Sequence, residues 1–289
     1  LGVRVRLLGR DARIGPLTDP ELQPLCAGIF ENALPLHREA AITGVDRDGN
    51  DVRLRWRTPQ GEHDERFALL LAATGRRPQL EALDLAAAGL ALDARGLPAF
   101  DPGTLQIGRS AVFIAGDVNA DRPLLHEAAD EGLIAGAGAG HSLTAGLDAL
   151  PSQPRRTPLS IVFSDPQIAL AGANHRQLCA AGIRFATGRV SFADQGRSRV
   201  IARNVGALHV YAELGTRRLL GAELVGPAAE HLAHLLAWSI QRRETVDAAL
   251  AQPFYHPVIE EGLRTALRAL RLALDRQAAA PCEGCEPGE

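Results

Sequence analysis

Apolar and polar residues alternate along Leu1-Gly2-Val3-Arg4-Val5-Arg6-Leu7-Leu8, a period of two that predicts a strand over residues 1–8. A helix is expected over 19–31, with Asp19 as its cap, Pro20 at its first position and Glu21 in its first turn. Strands are expected near 40–46, 51–58 and 64–73, and the breaks at Asp48-Gly49-Asn50 and Pro59-Gln60-Gly61 suit an antiparallel meander. The run Arg66-Phe67-Ala68-Leu69-Leu70-Leu71-Ala72-Ala73 is nearly all apolar, as in a strand buried on both faces. Residues 79–110 read as an irregular connector with a helix-like stretch at 84–88, followed by a buried strand over 111–116 and a long helix over 123–145.

Pro151, Pro154 and Pro158 mark a linker, after which the pattern changes. Strands are expected over 159–163, 183–192, 198–203, 207–212 and 217–225, and helices over 174–181, 227–242, 245–250 and 258–277. This is an α+β arrangement distinct from the first half. The helix over 227–242 is apolar around much of its circumference, which places it inside a domain or at a subunit contact. No internal repeat is visible. A dinucleotide-binding unit begins with a strand, a glycine loop and a helix, and only then reaches a strand like 1–8. Residue 1 is therefore expected to lie inside a domain, in the C-terminal portion of a longer chain.

A length of 289 residues suffices for two domains with a sizeable core. With 46% hydrophobic and 22% charged residues and a net charge of −3, the arginines lie scattered among carboxylates, so neither nucleic-acid nor membrane binding is expected. No apolar run reaches membrane-span length and no signal peptide is visible, making a cytoplasmic location the expectation. All 31 basic residues are arginine, which removes lysine Schiff-base and general-base chemistry. Four cysteines do not make a disulfide framework in a chain this long. Cys26 and Cys179 are expected to be inert packing residues; Cys282-Glu283-Gly284-Cys285 lies in a tail, 279–289, expected to be flexible, where a redox shuttle, adventitious zinc binding and no role all stay open.

The strongest chemical signal is Phe254-Tyr255-His256-Pro257-Val258-Ile259-Glu260-Glu261. Pro257 suits a first helical position, and the stripe Val258, Ile259, Leu263, Ala266, Leu267 and Leu270 continues at helical spacing. Glu261 can fold back onto His256, fix its tautomer and stabilise its imidazolium, leaving the other ring nitrogen to take a proton. A solvated histidine and glutamate at a helix start is the plain alternative. Gly116-Asp117 ends the strand over 111–116, where ligands of open α/β sheets bind, and the next helix start, around Leu124, Leu125 and His126, offers free amides. Gly75 is either a site of close backbone approach or an ordinary turn glycine, and His126 reads as positional. His231 and His234 share a helix face without a third ligand, so they read as interface histidines and no metal is expected. Gly136-Ala137-Gly138-Ala139-Gly140 follows a helix rather than a strand and is rejected as a nucleotide fingerprint.

The octet 254–261 resembles the His-Pro-x3-Glu signature of the flavin-dependent pyridine nucleotide–disulfide oxidoreductases, the dihydrolipoamide dehydrogenase and glutathione reductase family. Three further segments agree in order: Ala72-Ala73-Thr74-Gly75-Arg76-Arg77-Pro78, Phe113-Ile114-Ala115-Gly116-Asp117, and Val162-Phe163-Ser164-Asp165-Pro166-Gln167-Ile168-Ala169. The resemblance implies an α/β fold class, partial Rossmann-like nucleotide-binding domains followed by an α+β interface (dimerisation) domain. Residues 1–78 would be the C-terminal part of an NAD(P)-binding domain, 79–153 the C-terminal segment of an FAD-binding domain, and 154–278 the dimerisation domain.

It further implies FAD and NAD as cofactors, with Gly116 and Asp117 at the ribityl group, Leu124, Leu125 and His126 at the flavin pyrimidine, and His256 supplied across a homodimer with Glu261 polarising it. Relatives that prefer NAD often carry an acid where Gly9 stands here, so Arg10 and Arg13 leave NADP open. The implied activity is that of dihydrolipoamide dehydrogenase on a lipoyl group or small dithiol; a mercuric or glutathione-type reductase, a soluble transhydrogenase and a non-enzymatic dimerisation module are the alternatives. The redox cysteine pair and both glycine loops of the family are missing from these residues, so the chain alone is expected to be inactive. A cis His256–Pro257 bond, as in relatives, is permitted.

Overall fold

The computed structural model describes residues 2–278 and divides into two compact units, residues 1–70 with 157–289 and residues 71–156. In the first unit, strand β1 (Leu7–Leu8) pairs in parallel with β2 (Leu36–His37), and between them runs helix α1 (Leu22–Ala33). The expected strand over 1–8 is thus realised only where β2 supplies partners, and Val3 and Val5 stay exposed. Helix α1 starts at Leu22 with Glu21 at its N-cap and no side-chain cap, three residues later than expected. Asp19 instead holds the preceding turn, its Oδ1 accepting the amides of Glu21 at 2.9 Å and Leu22 at 3.1 Å. Strands β3 (Ala41–Asp48), β4 (Asp51–Thr58) and β5 (Gly61–Phe67) form the expected meander. On β4, buried Leu54 and Trp56 alternate with Arg53, Arg55 and Arg57, which pair across strands with Asp64, Asp46 and Glu62.

The meander corrects one expectation. Its third strand ends at Phe67, and Leu69 and Leu71 beyond it are 88% and 89% exposed rather than buried on both faces. A strand covered on both faces needs neighbours along its edges. No described strand lies beside residues 69–73.

The second unit has a small core of Leu80, Leu97, Ile107 and Ile114 in largely irregular chain. A 3-10 turn at Glu81–Leu83 replaces the helix-like stretch expected at 84–88. The strand expected over 111–116 is reduced to the single bridge Gln106↔Phe113, again for want of a neighbouring strand. Helix α2 (Leu125–Ala145) forms as expected.

After Thr157 the chain builds a five-stranded antiparallel sheet. Its elements are β6 (Leu159–Val162), β7 (Gln167–Gly172), α3 (His175–Ala180), β8 (Phe185–Ser191), α4 (Gly196–Val200), β9 (Ala207–Glu213), β10 (Leu219–Gly226), α5 (Ala229–Gln241), α6 (Val246–Leu250) and α7 (Glu260–Ala278). The strand order is β6-β7-β10-β9-β8. Two expectations change here. Strand β7 was not expected, and the strand expected over 198–203 is helix α4, started by Gln195, whose side chain accepts the Ser198 amide at 2.6 Å. One sheet face packs on α5 and α7 through Leu208, Val210, Leu224, Leu232, Leu236 and Leu270. The other packs on α1 through Ile168, Leu170 and Val225 against Leu22, Cys26 and Phe30.

Cys26 is buried in that second layer, and burial raises its thiol to about 11, as befits a packing residue. Cys179 departs from the same expectation: it is exposed on α3, with Sγ 3.8 Å from His175 Nδ1.

Helix α7 lies directly on β8 at Gly188, where an added Cβ would meet the Ala266 carbonyl oxygen and Leu270 Cβ. Gly188→Ala is therefore expected to lower folding stability by about 1–3 kcal/mol, since neither the backbone carbonyl nor the core leucine can move aside cheaply. A urea midpoint unchanged from the parent would show that α7 is not seated this closely.

Candidate active site

The loop before α7 gathers the residues singled out by spacing. His256 Nδ1 lies 2.9 Å from Glu261 Oε2, and the same oxygen accepts the Val258 amide at 3.3 Å. An ionised Glu261 can only accept, which assigns the proton to Nδ1 and leaves Nε2 basic. The His256 side chain is 81% exposed whereas that of Glu261 is 19% exposed, so the acid is seated and the imidazole is presented. The hydrogen bond from His256 holds the Glu261 carboxyl below its ordinary range, outweighing desolvation, and the Val258 amide and Arg264 act in the same direction. The His256–Pro257 bond is cis.

Two supports were not anticipated. Arg264 Nη2 contacts Glu261 Oε1 at 3.2 Å, while its guanidinium sits 5.7 Å from the Phe254 ring centroid. Its place three residues after Glu261 was a legible signal for the pairing. Gln195 Nε2 donates to the Val258 carbonyl at 2.8 Å across 63 residues of sequence, a contact no local pattern announces. Phe254 and Tyr255 form one wall of a groove of about 430 Å³ that also includes Leu235 and Trp238 of α5. Within it Tyr255 and Trp238 are 80% and 58% exposed.

The other candidates fall in separate places. In the second unit, Gly116 adopts φ +79° and opens a turn in which Asp117 is exposed and meets Arg76 at 3.4 Å. Among the described residues no side chain caps the start of α2, and Leu125 and His126 there are exposed. A carboxylate and a run of uncapped first-turn amides suit a polar ligand that carries both hydroxyls and electron-rich carbonyls. Gly75 adopts φ +108° with open space around it, in agreement with either reading of that residue.

In the first unit, Arg10 follows β1 with a 91% exposed side chain and Asp11 at 3.9 Å. His234 Nδ1 is 2.7 Å from the Glu230 carbonyl, and His231 lies 3.6 Å from the Glu230 carboxylate. Among the described residues no group of three His, Cys, Asp or Glu could hold a metal ion. Nor is any described helix long and apolar enough to cross a membrane. Cys282 and Cys285 lie outside the described residues.

Residues 1–132 match the pyridine nucleotide-disulphide oxidoreductase family, and residues 159–267 match the pyridine nucleotide-disulphide oxidoreductase dimerisation domain. A mercuric reductase of Streptomyces lividans is 30% identical over 276 residues, covering 94% of this chain and 55% of that protein. A dihydrolipoyl dehydrogenase of Thermus scotoductus is 29% identical over 273 residues, covering 93% and 57%. The solved structure of LpdA from Mycobacterium tuberculosis shares the fold with a TM-score of 0.76 at 23% identity, covering 94% of this chain and 57% of that one. The chain thus spans about half the length of the curated relatives it matches. With the two sequence matches in chain order, the shared fold and the paired His256 and Glu261 following the matched sheet, this chain belongs to the pyridine nucleotide-disulphide oxidoreductase family.

Proposed function

We propose that this chain is the part of an FAD-dependent dithiol–disulfide oxidoreductase that carries its acid–base pair, with dihydrolipoamide and NAD as substrates of the whole enzyme. The observation that carries the reading is the 2.9 Å contact of a presented His256 with a seated Glu261. Nε2 takes the proton of a bound thiol, and the resulting thiolate is the species that attacks or leaves a disulfide. Nδ1–H···Glu261 holds the ring and balances the imidazolium that forms. FAD, when bound, supplies the two-electron relay between dithiol and nicotinamide.

The uncapped start of α2 at Leu124, Leu125 and His126, with Gly116 and Asp117, fits FAD: the carboxylate would take ribityl hydroxyls and the amides a pyrimidine carbonyl. Gly75 would allow close backbone approach to a cofactor, and Arg10 is available to a 2′-phosphate, so NADP is a second nicotinamide to test. We assign His256 to the active site of a partner copy in a homodimer; the dimerisation-domain match and the exposed Trp238 and Tyr255 support this.

The test is turnover by the purified protein, full length and FAD-loaded. NAD reduction driven by dihydrolipoamide is expected, and its absence alongside mercuric-ion or glutathione-disulfide reduction would replace the substrate. A colourless protein that dimerises without any of these activities would favour a purely structural module. Glu261→Gln is expected to slow the dihydrolipoamide reaction roughly 10–100-fold, the worth of one charge-assisted hydrogen bond, and kcat measurements read this directly.

A further inference from the structure

Seven residues into α2, Glu131 is fully buried with no role in the chemistry above. Its Oε2 accepts the Gly116 amide at 2.6 Å and the Asn119 Nδ2 at 2.7 Å, while Oε1 meets Arg155 Nη2 at 2.6 Å. Charge-assisted bonds of this length are the strong ones, and their loss leaves buried donors without a partner. The turn is also closed by Asn119 N–H to Gly116 O at 3.0 Å, Ala120 N–H to Asp117 O at 3.3 Å and Asp121 N–H to Asn119 Oδ1 at 2.9 Å. Arg155, 10% exposed, neutralises Glu131 together with Glu127, which it contacts at 2.8 Å. Glu127 shares the helix and the arginine, yet its contacts are to Arg122 and Arg155 rather than to residues 116–119.

We propose that Glu131 is a positioning residue of the cofactor site: it ties the body of α2 to the turn that carries Asp117, and so sets Asp117 against the amides at the start of the same helix. This rests on the reading of Asp117 and the α2 start as flavin contacts. The positive-φ Gly116, a conformation that suits glycine, and the buried carboxylate are then two parts of one device. The turn must hold a φ of +79° at its first residue, and a fixed anion behind it holds that residue's amide.

The distinguishing experiment compares Glu131→Gln with Glu127→Gln. Each removes one carboxylate from Arg155, but only the first loosens the turn. Glu131→Gln is expected to speed hydrogen exchange at the Gly116 amide about tenfold or more and to weaken FAD binding, read by flavin fluorescence, roughly 10–100-fold. Glu127→Gln is expected to leave both within about threefold of the parent, and equal effects in the two variants would reduce Glu131 to a structural ion-pair partner and overturn the proposal. Should Glu131→Gln not fold, Glu131→Asp keeps the charge opposite Arg155 while shortening the reach to Gly116, with the same expectations. Unchanged exchange at Gly116 overturns the brace whatever FAD does. Faster exchange in a protein whose parent form takes up no FAD overturns the flavin reading, and the positioning role with it.

Discussion

His256→Gln is expected to lower dihydrolipoamide-driven NAD reduction by roughly 10²–10⁴-fold, the range general acid–base groups contribute. Glutamine can still hydrogen-bond Glu261 across the 2.9 Å now spanned by Nδ1, so the loop keeps its shape. What it lacks is a ring nitrogen that can take the thiol proton and return it. The loss should therefore appear in kcat, with FAD content and folding unchanged, because His256 is an exposed side chain whose removal uncovers no core. Glu261→Gln, which keeps the imidazole but weakens its support, should fall between this variant and the parent. Turnover by His256→Gln within about threefold of the parent would remove the residue from the reaction, since even a weak general base contributes more than that.

Asp19→Ala is expected to destabilise the first unit by about 3–5 kcal/mol, as removal of one partner from a buried polar cluster does. The Asp19 carboxylate is 2% exposed and accepts four donors: the Glu21 and Leu22 amides, His209 Nδ1 at 2.9 Å and the Tyr211 hydroxyl at 2.9 Å. Beside it, fully buried Glu223 accepts the Thr18 amide and hydroxyl, the Asp19 amide and the His175 amide. Together these two acids fasten the segment before α1 to β9 and β10. The chemical-denaturation midpoint measures the loss. A change below about 1 kcal/mol would mean the cluster is hydrated in solution, because hydrated donors lose little when an acceptor is removed.

The same cluster predicts a pH dependence. Burial pushes the Asp19 carboxyl upward, but the His209 hydrogen bond and charge, with the two backbone amides, outweigh it and hold the group well below its ordinary value of 3.8. A folded-state value below the unfolded one means the unfolded chain binds the proton more readily. The stabilisation is therefore fully present above about pH 4 and is lost as the pH falls below it toward the folded value. Between about pH 4 and 2 the parent should lose stability more steeply than Asp19→Asn, which carries no such titration; parallel slopes would sink the assignment.

Much of this molecule was legible in its residues. The apolar stripe of α7 and the five-residue interval from His256 to Glu261 are local relations, and the structure realises both. The helix expected to open at Pro257 starts only at Glu260. The cap read from Asp19-Pro20 lies early: α1 starts at Leu22, because Pro24 has no amide to continue a helical ladder from Pro20. The misread strands failed through a shared cause. The runs at 66–73 and 111–116 have strand composition, but a strand exists only where another supplies hydrogen-bond partners. Strand β7 was missed because Gln167–Gly172 is a short apolar run without alternation, ambiguous until β6 and β10 flank it.

Most of the longer helices, the meander and the spacing that sets an acid one turn from a histidine could be read from the residues alone, because these depend on neighbours within a turn or two. Folding alone brought Asp19 to His209 across 190 residues, set Glu131 between Gly116 and Arg155, and placed α7 over a glycine at 188. Those contacts depend on which surfaces the folded chain brings together and on the cost of burying charge and backbone without partners, neither of which is written in local spacing.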